Sequence, residues 1–158
     1  MLLSKSCVYG IRASLYMATV AGREYMPIRE ISENLNISFH FLTKILQQLT
    51  GAGIMESFRG PNGGIRLTRP GTETRLIEIV VAIDGPELLT ECALGLPGCG
   101  VAKPCPLHDK WAETRDSIRE MLEETTLTEL AKKAKEQDLR LSDEGGISEF
   151  LKDKIEGK

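Results

Sequence analysis

The amino-acid sequence predicts a mainly α-helical protein with one small β-hairpin. Apolar residues recur at three- and four-residue steps along most of the chain, which is the period of an amphipathic helix. One dense turn sequence, Gly60-Pro61-Asn62-Gly63-Gly64, separates two short segments of strand character. Glycines and prolines are frequent in about residues 87–106, which predicts an irregular loop.

Length and composition are typical of one soluble globular domain. The chain has 158 residues, of which 41% are hydrophobic and 27% charged. A chain of this length buries about 70% of the surface that it exposes when unfolded. The longest uninterrupted apolar run has five residues, from Ile79 to Ile83, whereas a membrane span needs about 20. Lys5 and Arg12 interrupt the N-terminal segment where a signal peptide would be apolar, so we expect a cytoplasmic protein.

Charge is divided unevenly along the chain. The formal net charge is only -3. Residues 1–70 contain eight Lys or Arg and four Asp or Glu, a net charge of +4, and the rest of the chain contains twelve and nineteen, a net charge of -7. A basic first part suggests contact with a polyanion such as DNA.

The first helix is predicted from Ser4 to about Ala21. Val8, Ile11 and Leu15 lie on one face of this segment, and Ser4 or Ser6 is suited to cap its start. Gly22 ends the pattern.

Two further helices follow after a short interval. Pro27 is placed to begin the second helix, and Ser38 is placed to cap the third, which should end near Gly51 or Gly53. Two short helices with such a brief connection predict a helix-turn-helix. The outward face of the third helix is polar and has no acid, as suits contact with phosphates and base edges: His40, Thr43, Lys44, Gln47 and Gln48.

Strand-like segments from Ile54 to Arg59 and from Ile65 to Arg69 surround the turn sequence. A helix-turn-helix followed by a hairpin predicts a winged helix, and Arg59 and Arg66 would allow the wing to bind DNA. A phosphate-binding loop is a weak alternative, because no Lys-Ser or Lys-Thr pair follows the glycines.

After Pro70-Gly71 the sequence predicts one helix that Thr72 or Thr74 caps and that ends near Gly85. A long helix should run from about Leu107 to Glu124, with a narrow apolar stripe that is typical of a dimerisation surface: Trp111, Ile118 and Leu122. A capping pattern at Thr126 predicts a last helix to about Lys135. Residues 136–158 are predicted to form a charged, mobile tail, with one marginal turn around Phe150, Leu151 and Ile155.

Three of the four cysteines lie close together in the predicted loop. Cys92, Cys99, Cys105 and His108 follow a C-x6-C-x5-C-x2-H pattern. Three thiolates and an imidazole complete a tetrahedral metal site or supply the four ligands of a two-iron cluster. Structural zinc usually has at least one closely spaced cysteine pair, so the wide spacing favours iron and sulfur. Free cysteines remain a third possibility.

The sequence resembles the IscR/NsrR/BadM family of bacterial winged-helix regulators over roughly residues 1–135. Three segments carry the resemblance: residues 57–64 (SFRGPNGG), Ile37-Ser38, and residues 105–111 (CPLHDKW). The pattern is most similar to that of the cluster-binding members. The resemblance implies a homodimer, joined by the long helix, that binds a near-palindromic operator in double-stranded DNA.

The resemblance also implies residue roles. A [2Fe-2S] cluster would be bound by Cys92, Cys99, Cys105 and His108, and DNA contacts would come from Ser38, His40, Thr43, Lys44 and Arg59. Some relatives complete the cluster with an N-terminal residue of the other subunit, and Cys7 lies in that stretch. The chain departs from the type member in its first cysteine spacing and at Thr43-Lys44, so the operator sequence does not transfer.

We therefore expect a dimeric transcriptional regulator whose operator affinity depends on an iron–sulfur cluster that senses iron, redox state or nitric oxide. The alternative is a winged-helix regulator with a structural zinc or a thiol-redox site. An enzyme is not expected, because the chain has no nucleotide-binding fingerprint and no constellation of acid, base and nucleophile. Neither a small-molecule substrate nor a membrane is expected as a partner. Residues 1–70 would bind DNA, and residues 71–135 would hold the loop and the dimerisation helix.

Overall fold

A computed structural model of the protein describes residues 1–20, 22–143 and 145–149. The structure confirms the mainly helical fold with a small hairpin. The helices are α1 (Lys5–Thr19), α2 (Ile28–Leu35), α3 (Phe39–Gly51), α4 (Leu76–Asp84), α5 (Glu87–Thr90), α6 (His108–Glu124) and α7 (Leu127–Glu136). The strands are β1 (Met55–Phe58), β2 (Gly64–Leu67), β3 (Arg140–Ser142) and β4 (Gly145–Gly146). None of the described helices is both long and apolar enough to cross a bilayer.

The turn between α2 and α3 is fixed by one left-handed residue and one buried hydroxyl. Asn36 has φ 51° and ψ 48°, a conformation that asparagine adopts more readily than most residues. The backbone N–H of Ile37 donates to the carbonyl of Ser32 at 3.0 Å, and the buried Ser32 hydroxyl donates to the carbonyl of Ile37 at 2.6 Å. These bonds set the direction in which α3 leaves the turn.

The wing is tied to the chain that precedes α2. Strands β1 and β2 pair antiparallel, from Met55 opposite Leu67 to Phe58 opposite Gly64. Met26 adds a bridge on the other side of β2, where its N–H donates to the carbonyl of Ile65 at 2.9 Å and its carbonyl accepts from the N–H of Ile65 at 2.8 Å. The start of α2 and the wing therefore share one backbone ladder.

This ladder leaves no room for a side chain at Gly64. A Cβ atom there would lie 2.2 Å from the carbonyl oxygen of Met26. We expect Gly64→Ala to lower the free energy of unfolding by about 2–3 kcal/mol, because the backbone must move to relieve the overlap. Thermal and urea unfolding followed by circular dichroism measure this loss. Gly51→Ala is the control, since nothing lies within 4 Å of a Cβ at Gly51, and an equal loss in both variants would contradict the steric explanation.

One continuous core joins the two parts of the chain. Helix α1 packs against α2, α3, α4 and α7, so Tyr16 and Cys7 on α1 are fully buried. Helix α7 buries Leu127 and Ala131, and the N–H of Leu127 donates to the carbonyl of Thr74 at 3.0 Å. Helix α7 therefore packs against α1, the first helix of the winged part of the chain.

Several element boundaries differ from the sequence prediction. Helix α4 begins after Arg75, whose N–H donates to the Glu78 carboxylate at 2.9 Å, and neither Thr72 nor Thr74 caps it. The short helix α5 occupies the first residues of the segment predicted to be irregular. Strands β3 and β4 pair where we predicted a mobile tail, and the Arg12 guanidinium on α1 donates to the carbonyl of Leu141. The turn predicted around Phe150, Leu151 and Ile155 lies outside the described residues.

Candidate functional site

The outward face of α3 presents polar side chains to solvent. Ser38, His40, Lys44 and Gln47 are exposed, and Thr43 is half-buried. Ser38 occupies the N-cap position of α3, but its hydroxyl makes no capping hydrogen bond. The hydroxyl of Thr43 donates to the carbonyl of Phe39 at 2.7 Å. The Ser38 hydroxyl thus remains available at the helix start, where side chains reach base edges in a helix-turn-helix.

A groove of about 560 Å³ separates α3 from the wing. Thr43 and Gln47 line one side and Arg59 lines the other. Phe58 also lines the groove and is 56% exposed. Arg59 is exposed beside the wing turn, so its charge is available to a polyanion that lies across the groove.

Arg66, which the sequence predicted to contact DNA, lies on strand β2 of the wing and is paired within the protomer. Its guanidinium pairs with Glu56 and, at 3.1 Å, with Glu24, and it lies 4.6 Å from the centre of the Tyr25 ring. The hydrogen bond that Arg66 donates to the Glu56 carboxylate is the main reason that the pKa of Arg66 is raised. Because two carboxylates already surround this charge, Arg66 connects the wing to the segment before α2.

Arg29 was not among the DNA-contact residues predicted from the sequence. This residue lies in the first turn of α2, is exposed, and lines the groove. Its guanidinium lies 5.2 Å from the centre of the Phe39 ring, a distance at which a cation–π contact holds it beside the start of α3. In the sequence, Arg29 is recognisable only as one basic residue of the basic part of the chain. Its position next to α3 becomes evident only from the fold.

The four predicted metal ligands lie together at the junction of the loop and α6. The Sγ atoms of Cys92 and Cys105 are 3.6 Å apart, and Sγ of Cys99 is 3.8 Å from Nδ1 of His108. His108 is the first residue of α6 and is 8% exposed. The backbone N–H of His108 donates to the carbonyl of Cys105 at 3.0 Å, which fixes these two ligands relative to each other.

These spacings fit metal ligation in pairs. Two sulfurs that bind one tetrahedral metal at about 2.3 Å lie about 3.8 Å apart. In the part of the chain that the structure describes, no three metal-binding side chains surround one point, so the structure shows two close pairs of ligands and no assembled metal site. A two-iron cluster takes two protein ligands at each iron, so the donor set fits such a cluster.

The two thiols of the first pair have pKa values shifted in opposite directions. Backbone N–H groups of Leu94 and then Leu96 lower the pKa of Cys92. Burial is the main cause that raises the pKa of Cys105. The loop backbone therefore stabilises a thiolate at Cys92, the form that binds metal.

Three side chains of α6 hold the start of the loop. Nε1 of Trp111 donates to the carbonyl of Glu91 at 2.9 Å. Nη1 of Arg115 lies 3.3 Å from the carbonyl of Glu91 and 3.4 Å from that of Thr90, and Nη2 of Arg119 donates to the carbonyl of Leu89 at 2.5 Å. The contacts of Arg115 and Arg119 with the loop were not predicted from the sequence. Arg115 lies seven residues after His108, so the two residues share one face of the helix.

Part of the apolar stripe predicted for dimerisation packs against the core of its own protomer. Leu122 is 2% exposed and belongs to the core, and Ile118 is half-buried against it. Met121, on a different face of α6, is 55% exposed. Part of the predicted stripe therefore packs within the protomer, while Met121 leaves one apolar side chain of α6 exposed.

Cys7 is enclosed in the core of its own protomer. It is 0% exposed, and burial, together with the charge of Asp84, raises its pKa to about 12. A thiol in this position is not accessible to a loop from another chain.

The chain matches a known protein family over most of its length. A family model named Rrf2, described as an iron-dependent transcriptional regulator, matches residues 3–133. Protein aau3 of Rhizobium meliloti is 35% identical over 133 residues, 84% of this chain and 86% of that protein. The HTH-type transcriptional regulator IscR of Vibrio atlanticus is 31% identical over 124 residues, 78% of this chain and 71% of that protein.

Solved structures share the fold. CymR, the global cysteine regulator of B. subtilis, superposes with a TM-score of 0.70 at 28% identity, over 82% of this chain and 95% of that one. The oxidized form of Staphylococcus aureus CymR gives 0.67 at 27% identity, over 83% and 96%. IscR of T. potens gives 0.70 at 23% identity, over 87% and 91%, a likeness in fold.

Proposed function

The chain belongs to the Rrf2 family of transcriptional regulators, and from this membership we propose that it regulates transcription through an iron–sulfur cluster. Members of this family bind DNA and are not enzymes. The observation that supports the cluster most directly is the arrangement of Cys92, Cys99, Cys105 and His108 in two closely spaced pairs. We assign a [2Fe-2S] cluster to these ligands and a cytoplasmic location to the protein.

Residues 1–70 form the DNA-binding part. Lys44 and Arg59 bind phosphates and supply salt-dependent affinity. Arg29 lines the groove together with Arg59 and adds a third charge. Ser38, His40, Thr43 and Gln47 face the base edges from α3. In a homodimer joined through α6, two copies of α3 would enter successive major grooves about 34 Å apart.

The loop and α6 form the part that responds to the signal. When bound, an iron–sulfur cluster supplies a link, sensitive to iron and redox state, between the loop cysteines and the first residue of α6. Without that link, the loop is held to α6 by the hydrogen bonds of Trp111, Arg115 and Arg119. A change in this attachment alters the position of α6, and with it the separation of the two copies of α3.

A thiol-redox site is the second candidate. The 3.6 Å between the sulfurs of Cys92 and Cys105 is a short distance from which to form a disulfide, and the oxidized CymR structure has the same fold. Peroxide would then oxidise the two thiols to a disulfide, with loss of two protons and two electrons, and be reduced to water. Mass spectrometry detects this as a loss of about 2 Da per chain.

One anaerobic preparation tests the proposal. We expect brown protein with visible absorbance and about two irons and two sulfides per chain. We also expect about 5- to 150-fold different affinities of cluster-loaded and metal-free protein for a duplex, in mobility-shift assays on duplexes selected from a random-sequence pool. Equal affinity on every selected duplex would contradict the switch. Colourless protein with one zinc per chain, or with a peroxide-dependent Cys92–Cys105 disulfide, would favour the alternatives.

A further inference from the structure

Arg115 connects the cysteine site to the long helix through three contacts of one guanidinium group. Its Nη1 lies 3.5 Å from Sγ of Cys99, as well as close to the carbonyls of Thr90 and Glu91. Cys99 lies in the middle of the loop and the two carbonyls lie at its start. Arg115 is therefore the one side chain among the described contacts of α6 that donates to both a loop sulfur and the end of α5.

A second nitrogen of this guanidinium, Nε, has no hydrogen-bond partner in the part of the chain that the structure describes. Nε of Arg115 is also buried. A buried N–H donor without an acceptor costs about 1–3 kcal/mol, so it calls for an explanation such as an ordered water or a bound group. Nη1 of the same guanidinium contacts Sγ of Cys99, so a group bound at the cysteine site is one such acceptor.

We propose that Arg115 is the positioning residue of the cysteine site, which holds Cys99 in place and balances the negative charge of the bound group. This inference rests on the proposed cluster. Three thiolates, one neutral imidazole, two ferric ions and two sulfides have a net negative charge, and one-electron reduction increases it. The guanidinium cation stabilises the more negative state, and its hydrogen bonds link the charge of the site to α6.

Neighbouring residues provide a matched control. Arg119 lies one helical turn further along the same face and donates to the carbonyl of Leu89 and to the carboxylate of Asp116, and not to a cysteine among the described contacts. Arg115→Gln and Arg119→Gln each remove one cation from α6 and one bond to α5. Only the first removes a donor to sulfur, and Arg115→Lys keeps the charge without the planar pair of donors.

The test measures the midpoint potential of protein reconstituted anaerobically with ferrous iron and sulfide, titrated with dithionite. We expect Arg115→Gln to make the reduction equilibrium constant about tenfold smaller, a fall of about 60 mV for one electron. Arg115→Lys should recover most of this fall, and Arg119→Gln should leave the potential unchanged. An unchanged potential in Arg115→Gln, or an equal fall in Arg119→Gln, would overturn the proposal.

Metal-free protein supplies a second measurement that does not depend on the cluster. In hydrogen exchange followed by mass spectrometry, we expect backbone amides of residues 95–103 to exchange about threefold faster or more in Arg115→Gln than in Arg119→Gln. If the protein takes up no cluster, the proposed function fails, and this exchange result still decides whether Arg115 anchors Cys99. Equal exchange in the two variants would show that it does not.

Discussion

Replacing Cys105 with serine is expected to abolish the visible absorbance and most of the iron of anaerobically prepared protein. Sulfur of Cys105 is the partner of Cys92 at 3.6 Å, so its removal leaves one half of the site with a single thiolate. Hydroxyl oxygen is a poor replacement for a thiolate as an iron ligand. His108→Ala should cause a smaller loss or a shifted spectrum, because three cysteines remain.

Cys7→Ala is the control for these variants. Cys7 is fully buried between α1 and its neighbours, so its loss should lower stability by about 1–2 kcal/mol while the absorbance per iron stays the same. Iron content, sulfide content and visible circular dichroism measure the outcome. Full iron binding by Cys105→Ser would contradict the ligand assignment, and loss of the spectrum in Cys7→Ala would restore the hypothesis of a ligand from the other subunit.

Removing two exposed cations, Lys44 on α3 and Arg59 at the groove, should weaken DNA binding strongly. We expect the double variant Lys44→Ala, Arg59→Ala to bind a selected duplex about a hundredfold more weakly in a dimer at moderate salt. Each protomer loses two phosphate contacts. The slope of log affinity against log salt concentration should therefore become shallower by about two for each protomer.

Two other variants distinguish the loss of a phosphate contact from a change in the net charge of the protein. Lys132→Ala removes an exposed cation from α7, far along the chain from the groove, and should leave the salt slope unchanged. Arg66→Gln should also keep the slope, because Glu24 and Glu56 already neutralise Arg66, although the wing loses stability. Fluorescence anisotropy over a range of salt concentrations measures all four proteins. A slope that changes equally in Lys132→Ala and the double variant would contradict the assigned surface.

Local sequence signals account for most of the helices and the wing. The cap at Ser4, whose hydroxyl accepts from the N–H of Cys7 at 3.0 Å, and the cap at Thr126, which accepts from the N–H of Glu129 at 3.2 Å, depend on residues three positions apart. Such pairs can be recognised in a linear pattern. The hairpin is equally local, because its turn residues adjoin its strands.

Contacts between residues far apart in the sequence could not be predicted from local sequence patterns. Arg66 has a partner 42 residues away at Glu24, and Arg119 bonds a carbonyl 30 residues away at Leu89. Strands β3 and β4 were missed because β3 has only three residues and β4 consists of two glycines, which are depleted in strands. Helix α5 has only four residues, too few to show a helical period.

The position of α1 in the shared core has a consequence for modularity. Helix α1 contacts helices from both parts of the chain. A hydrogen bond from the N–H of Leu127 to the carbonyl of Thr74 joins the start of α7 to the segment just before α4. The DNA-binding part therefore has no complete hydrophobic interior of its own. We therefore expect residues 1–70 and 71–135 to unfold together in one cooperative transition and not as two separate domains.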